Sequence, residues 1–380
     1  MTRLGRNWRR ERYAAVGITP SLFLDFAHTD PFATSGSVVR ALATRTAWCF
    51  AESDNTGASL QPIIIPANKP RYFGKRWVAS NNTWSDKYAN GTAIEERFLR
   101  GIYSEISSIN LLLNSATVAT QNITTTAQTY TISAWGSGTI TLSGTATGVL
   151  ITNSLLHDDR ATLTITATAG TLILTVAGNV VLGQFENNPM ATSYIPTGGA
   201  AIIGNADVLT FPNAGNVSNT AGTVLMDVTP AFDIPNGNQS SYGNNFLIDF
   251  GNEKGSIRNH YNQIRRNDGT TTITSPNWVA LKSITYKIGS RYGYEGQRNW
   301  LNGNAGTNGT FDGDINLGLN MKIGGFGGDN SAQFGGNIKN LKIYKKALSD
   351  AKIIELQKTY LIDEAGIQLT DELETALFYY

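Results

Sequence analysis

Three histidines, His28, His157 and His260, stand far apart in the sequence, and the lone cysteine, Cys49, has no base beside it. No His or Cys pair has metal-ligand spacing, and no nucleophile sits next to a general base. A glycosidase built on a β-sandwich needs two carboxylates facing the sugar across a cleft, often along one strand as Glu-x-Asp-x-x-Glu. The strands after residue 206 contain no such run. The best of them, Phe246-Leu247-Ile248-Asp249-Phe250, offers a single carboxylate. These residue types predict a chain without catalytic groups, cofactor or metal. Asp312 and Asp314 in "FDGDIN" form a lone Asp-x-Asp, which reads as a solvated turn before it reads as a calcium site. "GGFGGDNSAQFGG" has the glycines of a phosphate loop but neither its Lys-Ser/Thr nor its strand–helix setting, so a hairpin is expected.

Recognition of sugar requires an aromatic platform with a few fixed polar groups. Trp300, Tyr292 and Tyr294, with Arg298, Asn302 and Arg291, supply those types within a dozen residues. The reading that takes precedence is that these aromatics fill and rim the core of the sandwich, as aromatics commonly do. Docking chemistry is concentrated at the N-terminus. Arg3, Arg6, Arg9, Arg10 and Arg12 stand against Glu11, with Trp8 and Tyr13 among them. Such a segment suits an acidic patch on another protein. The formal net charge of +1 argues against a general nucleic-acid binder. The last twenty residues carry Asp363, Glu364, Asp371, Glu372 and Glu374 without a Lys or Arg, and end in Phe378-Tyr379-Tyr380. Those three aromatics are expected to pack on this chain or a neighbour.

The elements that must position these residues are strands. Charged residues make up 16% of the 380, too few for the exposed faces of helical bundles, while 39 glycines and abundant Asn and Thr favour β-structure with many turns. A single cysteine excludes an internal disulfide. No stretch approaches a membrane span, and the basic start lacks the apolar core of a signal peptide, so assembly in a cytoplasm is expected.

Four regions follow. Residues 1–110 read as a partly extended anchoring region, with a strand at Leu22–Phe26, a proline-framed run at Gln61–Pro66 and a helical turn at Ala93–Arg100. Residues 111–200 read as a Thr-rich antiparallel sandwich. Tyr130, Ile132 and Ala134 point inward, Thr129, Thr131 and Ser133 outward, and Gly136-Ser137-Gly138 is expected to break the strand. Ile140 and Leu142, then Leu163 and Ile165, then Leu172, Leu174 and Val176, share the inner face. From 111 to 184 only Asp158, Asp159 and Arg160 are charged, so the outer faces are Thr rather than charge, a surface that packs well against sister chains. Residues 201–358 read as a jelly roll of short strands, starting at Ala206–Leu209, with hairpin signals at Asn267-Asp268-Gly269 and Asn302-Gly303. It closes in a helix capped by Ser349, with Asp350 on its dipole and a Leu348–Ile353 staple. Residues 359–380 form the acidic tail. The predicted fold class is all-β.

The chain carries two resemblances. Gly101–Ser115 ("GIYSEISSINLLLNS"), Tyr130–Gly144 ("YTISAWGSGTITLSG") and Gln184–Thr197 ("QFENNPMATSYIPT") resemble, in order, the lead-in, strand pair and closing segment of the head spike fibre domain of tailed bacteriophages, and "IPANKPRYF" resembles the stretch upstream. Tyr103-Ser104 and Ala134-Trp135 depart from the family pattern without disturbing the strands. The likeness covers roughly residues 60–210. "FGGNIKNLKIYKKALSDAKIIEL" and "WLNG" are similar to the closing strand, helix and hairpin of laminin-G-like, concanavalin-type jelly rolls. Together they imply a non-enzymatic virion protein: a head fibre, capsid decoration or tail appendage. It would assemble with capsid, connector or tail proteins as a homo-oligomer, a trimer by family analogy, with no membrane or specific nucleic-acid partner. The alternative is an adhesin whose jelly roll binds a host surface glycan. Closing Phe185–Thr197 would leave Gly198-Gly199 as the hinge between modules.

Overall fold

The structure is a computed structural model. It describes residues 102–155, 160–204, 206, 209–233, 244–251, 255–260, 263–267, 272–274, 278–315, 317–325 and 333–360, plus the strand backbones at 22–24, 42–43, 47–52, 60–65, 76–78, 83–85 and 378–379. The predicted helical turn at 93–100, and Arg3, Arg6, Trp8, Arg9, Arg10 and Arg12, lie outside the described residues.

The first strands are β1 (Leu22–Leu24), β2 (Leu42–Ala43), β3 (Ala47–Glu52), β4 (Leu60–Ile65), β5 (Arg76–Val78), β6 (Thr83–Ser85) and β7 (Ile102–Ser104). β3 pairs with β4, and β5 with β6, setting Trp77 opposite Trp84. The remaining three join sheets built further along the chain.

The first large sheet comprises β8 (Ser108–Asn110), β9 (Gln121–Thr125), β10 (Gln128–Gly144), β11 (Gly148–Ser154), β12 (Ala161–Ala167), β13 (Gly170–Glu186) and β14 (Ile202–Gly204). β10 and β13, each 17 residues, run antiparallel through the whole module. β12 flanks the first half of β10 and β11 its second half, while β9 flanks the start of β13. The alternation holds: Tyr130, Ile132, Ala134, Ile140, Leu142, Ile165, Leu172 and Leu174 are buried in one cluster, with Leu163 and Val176 packed against it. The strand does not break at Gly136-Ser137-Gly138. β10 passes through because these residues cross β13 at close range. A Cβ at Gly136 would lie 2.1 Å from the Asn179 carbonyl oxygen, and one at Gly138 would lie 2.4 Å from that of Ala177. The irregularity falls instead between Ser133 and Trp135, opposite Leu182, whose φ is +53°. This β-bulge frees the N–H groups of Leu182 and Gly183 to donate to the carbonyls of Ala116 and Ser115.

The second module stacks two antiparallel sheets. Its strands are β15 (Leu209–Pro212), β16 (Gly222–Pro230), β17 (Asn244–Asp249), β18 (Ser256–His260), β19 (Gln263–Asn267), β20 (Thr272–Thr274), β21 (Tyr286–Gly293), β22 (Gly296–Leu301), β23 (Asn304–Ala305), β24 (Asn320–Ile323) and β25 (Gly336–Tyr344). One sheet runs β1-β25-β16-β21-β22-β23 with β7 also on β25, and the other β2-β15-β24-β17-β18-β19-β20. The jelly roll therefore takes strands from before residue 110. Between the sheets lies a core of Val224, Met226, Val228, Ile248, Phe250, Ile288, Met321, Ile338 and neighbours. Its first strand of the later region begins at Leu209, later than the Ala206 expected from sequence. Asn302 and Gly303 take φ of +49° and +79°, the left-handed pair that a tight β22–β23 turn requires.

Helix α1 (Asp350–Gln357) follows β25. The Lys352 N–H donates to the Ser349 hydroxyl at 3.4 Å, and Leu348 and Ile353 are buried in one cluster, the staple expected from the sequence. Beyond it, β26 (Thr359–Tyr360) pairs with β27 (Phe378–Tyr379). No helix among the described residues is long and apolar enough to cross a membrane.

Candidate functional site

A densely bonded polar assembly lies where the lead-in and closing segments of the first module meet. Asn110, fully buried, donates through Nδ2 to the Ile195 carbonyl at 2.7 Å and the Gly183 carbonyl at 3.2 Å. Its Oδ1 accepts from the N–H groups of Phe185 and Leu112 at 3.0 and 3.1 Å. The Ser115 hydroxyl and Tyr194 hydroxyl are 2.8 Å apart, and the Thr197 N–H donates to Ser115 Oγ at 2.8 Å. One short side chain thus ties β8, the β13 bulge and the returning 194–197 segment together.

Glu186, at the end of β13, is completely buried. Its carboxylate accepts from Ser108 Oγ at 2.8 Å, Gln184 Nε2 at 2.9 Å, and both the N–H and hydroxyl of Thr192. Arg160 stands 3.9 Å away, donates to the Thr192 carbonyl and Ser133 hydroxyl, and lies over the Trp135 ring at 4.8 Å. A second buried carboxylate, Glu105, accepts from the Ser193 N–H and hydroxyl at 2.9 and 3.0 Å. Loss of water pushes the Glu186 carboxyl above the usual range; Arg160 and the Thr192 and Ser108 donors pull the other way without cancelling it. Burial likewise raises the Tyr194 phenol. Both acids bind protein donors, Glu186 four of them and Glu105 at least two, an arrangement that fixes a chain path.

The closing segment also corrects the wet face expected on the first half of β10. Thr131 and Ser133 do point away from the core, yet Thr131 is 1% and Ser133 0% exposed. Thr131 donates to the Asn188 carbonyl and Ser133 accepts from Arg160, because residues 187–197 fold across them.

The residues nominated for a glycan platform are mostly internal. Trp300 is 0% and Tyr292 1% exposed, so neither ring can stack on a sugar. The Tyr292 hydroxyl donates to the Ser218 carbonyl at 2.6 Å. Trp300 lies beneath Arg291 and Arg298, at 5.4 and 5.8 Å, and both guanidinium groups pair with Asp350, at 2.6 and 2.5 Å. Helix α1 is thereby clamped onto β21 and β22. Asn302 bonds Lys287 through both its backbone N–H and its side-chain oxygen, each at 2.8 Å, holding the turn. Tyr294 alone of the set faces solvent, fully exposed at the tip of the β21–β22 hairpin. Burial is the physical reason for this correction: the outer face of this sheet is covered by α1, so alternation along β22 leads to a second buried layer.

Asp249 is buried and accepts from the Gly251 N–H at 3.1 Å. Asp312 and Asp314 are exposed, and the Asp314 N–H donates to the Asp312 carboxylate at 3.2 Å, a local turn. Among the described residues, no group of three or more His, Cys, Asp or Glu is placed to hold a metal ion. "GGFGGDNSAQFGG" is described at its ends only, where Phe334 N–H bonds the Gly324 carbonyl.

The outer surface of the first module, expected from the sequence to be neutral and Thr-rich, also carries large apolar side chains. Val149 and Ile151 on β11 are 53% and 66% exposed, with Ile173 on β13 also outward.

No family model matches the chain, and no curated protein matches it. Several solved structures resemble part of it. The CBM40 of Ruminococcus gnavus IT-sialidase, bound to α2,3-sialyllactose, is 17% identical over 37% of this chain and 84% of its own, with a TM-score of 0.29. Domain 4 of AbnA, a GH43 extracellular arabinanase from Geobacillus stearothermophilus, in complex with arabinotriose, is 16% identical over 42% and 77%, TM-score 0.29. The receptor-binding domain of the botulinum neurotoxin C/D mosaic serotype is 13% identical over 44% and 45%, TM-score 0.32. The chain spans less than half the length of the neurotoxin chains it resembles.

Proposed function

We propose that this chain is a structural, non-enzymatic protein of a tailed-bacteriophage virion, assembled in the host cytoplasm and contacting capsid, connector or tail proteins. One observation carries the reading. Two motifs that sustain the fibre-domain resemblance, "INLLLNS" and "QFENNPMATSYIPT", lie some seventy residues apart and interlock through Asn110, Ser115, Glu186, Tyr194 and Thr197. Side chains that serve only to fix one chain path are the ones a structural module would keep, and their bonding explains why those types recur in that order. The absence of a nucleophile–base pair or facing carboxylates in the sequence supports a non-enzymatic role.

The test is purification of virions from a phage encoding this chain, with the chain quantified by mass spectrometry. We expect it in the particle at a fixed ratio to the capsid protein, and lost when residues 1–14 are deleted. Its absence from washed particles sinks the proposal.

The second reading, an adhesin for host polysaccharide, has Tyr294 in its favour, since that ring stands free at a hairpin tip. A glycan array probed with the full chain decides it: saturable binding abolished by Tyr294→Ala supports the adhesin, and silence removes it. Sugar release from the same polysaccharides would overturn the non-enzymatic part.

A further inference from the structure

We infer that the outer face of β11, β10, β13 and β9, centred on Val149 and Ile151, packs against the same face of a second copy of this chain. The inference rests on the virion reading above and on the homo-oligomer that the sequence resemblance implies, and names a surface that forms it.

Four strands contribute to this face. Val149 and Ile151 sit opposite Thr141 and Thr139, which sit opposite Thr175 and Ala177; Ser143 sits opposite Ile173, which sits opposite Asn122. Val149, Ile151, Thr141, Thr175, Ala177, Ser143, Ile173 and Asn122 are all exposed, and Thr139 is half-buried. Not one residue on it is charged. The sequence holds no Asp, Glu, Lys or Arg from 106 to 157 or from 161 to 185, and Arg160 is turned inward onto Glu186.

Neutrality suits the face to a second copy of itself. A surface that docks on a different protein can carry charge, because the partner supplies the opposite sign. A surface that docks on its own copy brings each charge against a like charge unless its charges are self-complementary. A face without any charge meets an identical face free of that repulsion. Its edge points the same way. Among the described strands β11 pairs only with β10, so it is an edge, yet "GVLITNS" contains no Lys, Pro or inward charge of the kind that keeps edges apart. On a monomer that edge would be an aggregation hazard. Covered by a second copy it is an interface.

Analytical ultracentrifugation of the full chain tests this. We expect the wild type to sediment as a discrete oligomer at micromolar concentration, and Val149→Lys/Ile151→Lys to sediment as a monomer with an unchanged β-sheet circular dichroism spectrum. Should the lysines impair folding, Val149→Thr/Ile151→Thr keeps strand propensity and should weaken association about tenfold or more. Tyr294→Lys, at the far hairpin, should leave the mass unchanged. A monomeric wild type, or an oligomer indifferent to both double variants, overturns the inference. A monomer that still enters virions overturns it while leaving the virion reading intact.

Discussion

Trp300 and Tyr294 are both aromatic and six residues apart, yet one is sealed and the other bare. Trp300→Ala should cost about 3–5 kcal/mol in urea unfolding, the usual range for emptying a large buried aromatic site. Tyr294→Ala should leave the midpoint where it is. A reversed ranking would mean that the clamp of Arg291, Arg298 and Asp350 over the indole does not exist in solution. Residue types here were legible in the sequence, and the expectation that the aromatics are core and rim holds for Trp300 and Tyr292, while Tyr294 stands bare. Strand alternation separates two faces but cannot say that both are buried, and α1 buries the second. Glu186 was hidden for a related reason. It reads as the polar end of a strand, and only the fold brings Ser108, Thr192 and Arg160 around it. Its pH behaviour follows from its raised pKa. The folded chain holds the proton more tightly than the unfolded chain, so this group's contribution is full below about pH 4.3 and declines as pH rises through the folded value. The melting temperature of wild type minus that of Glu186→Gln should therefore fall as pH rises from 4 to 8, to order of magnitude by the linkage relation. A difference that stays flat or grows with pH contradicts a raised carboxyl.

At the scale of elements, the inner faces of β10, β12 and β13 and the cap of α1 could be read directly, because each is a local pattern: period two in the strands, Ser349 with its staple in the helix. The glycines misled. Gly-Ser-Gly ordinarily signals a turn, but here it permits two long strands to approach. Gly136→Ala should destabilise the first module strongly, since the new Cβ meets a backbone carbonyl that no rotamer change can move, and φ is +123°. Gly198→Ala should be tolerated, because nothing lies within 4 Å of its Cβ position. Thermal melts of the two variants separate these expectations; equal melting temperatures would place the Gly136–Asn179 crossing in error. The bulge at Leu182 left no trace in the sequence reading, since its cause is tertiary: the carbonyls of Ser115 and Ala116, arriving from over sixty residues earlier, take the freed N–H groups.

At the scale of the molecule, the two sandwiches are not beads joined by a free hinge. The chain passes between them at residues 105–107 and again beyond residue 204, and it is tied down by strand pairing before each passage. β7 pairs with β25 of the jelly roll, and the Ser104 hydroxyl donates to the Gly324 carbonyl at 3.3 Å. Two residues beyond β7, Ile106 is buried in the jelly-roll core, as is Met190 from the closing segment of the first module. Both converge with Phe232 on Gly335, where a Cβ would lie 2.8 Å from the Met190 sulfur and 2.9 Å from the Phe232 ring. Even after Gly198-Gly199 the chain does not leave, because β14 returns to pair with β8. A shared apolar core couples the two modules in unfolding, since opening one exposes side chains that the other buries. Calorimetry of the full chain should show one cooperative transition spanning both modules. Met190→Asp places a charge in that junction and should split the transition in two, with the circular dichroism of the folded baseline retained. Two transitions in the wild type, or a single one that survives the aspartate, would mean that the junction is only a contact. If it holds, the charge-free face of the first module and the Tyr294 tip of the second keep a fixed relation to one another.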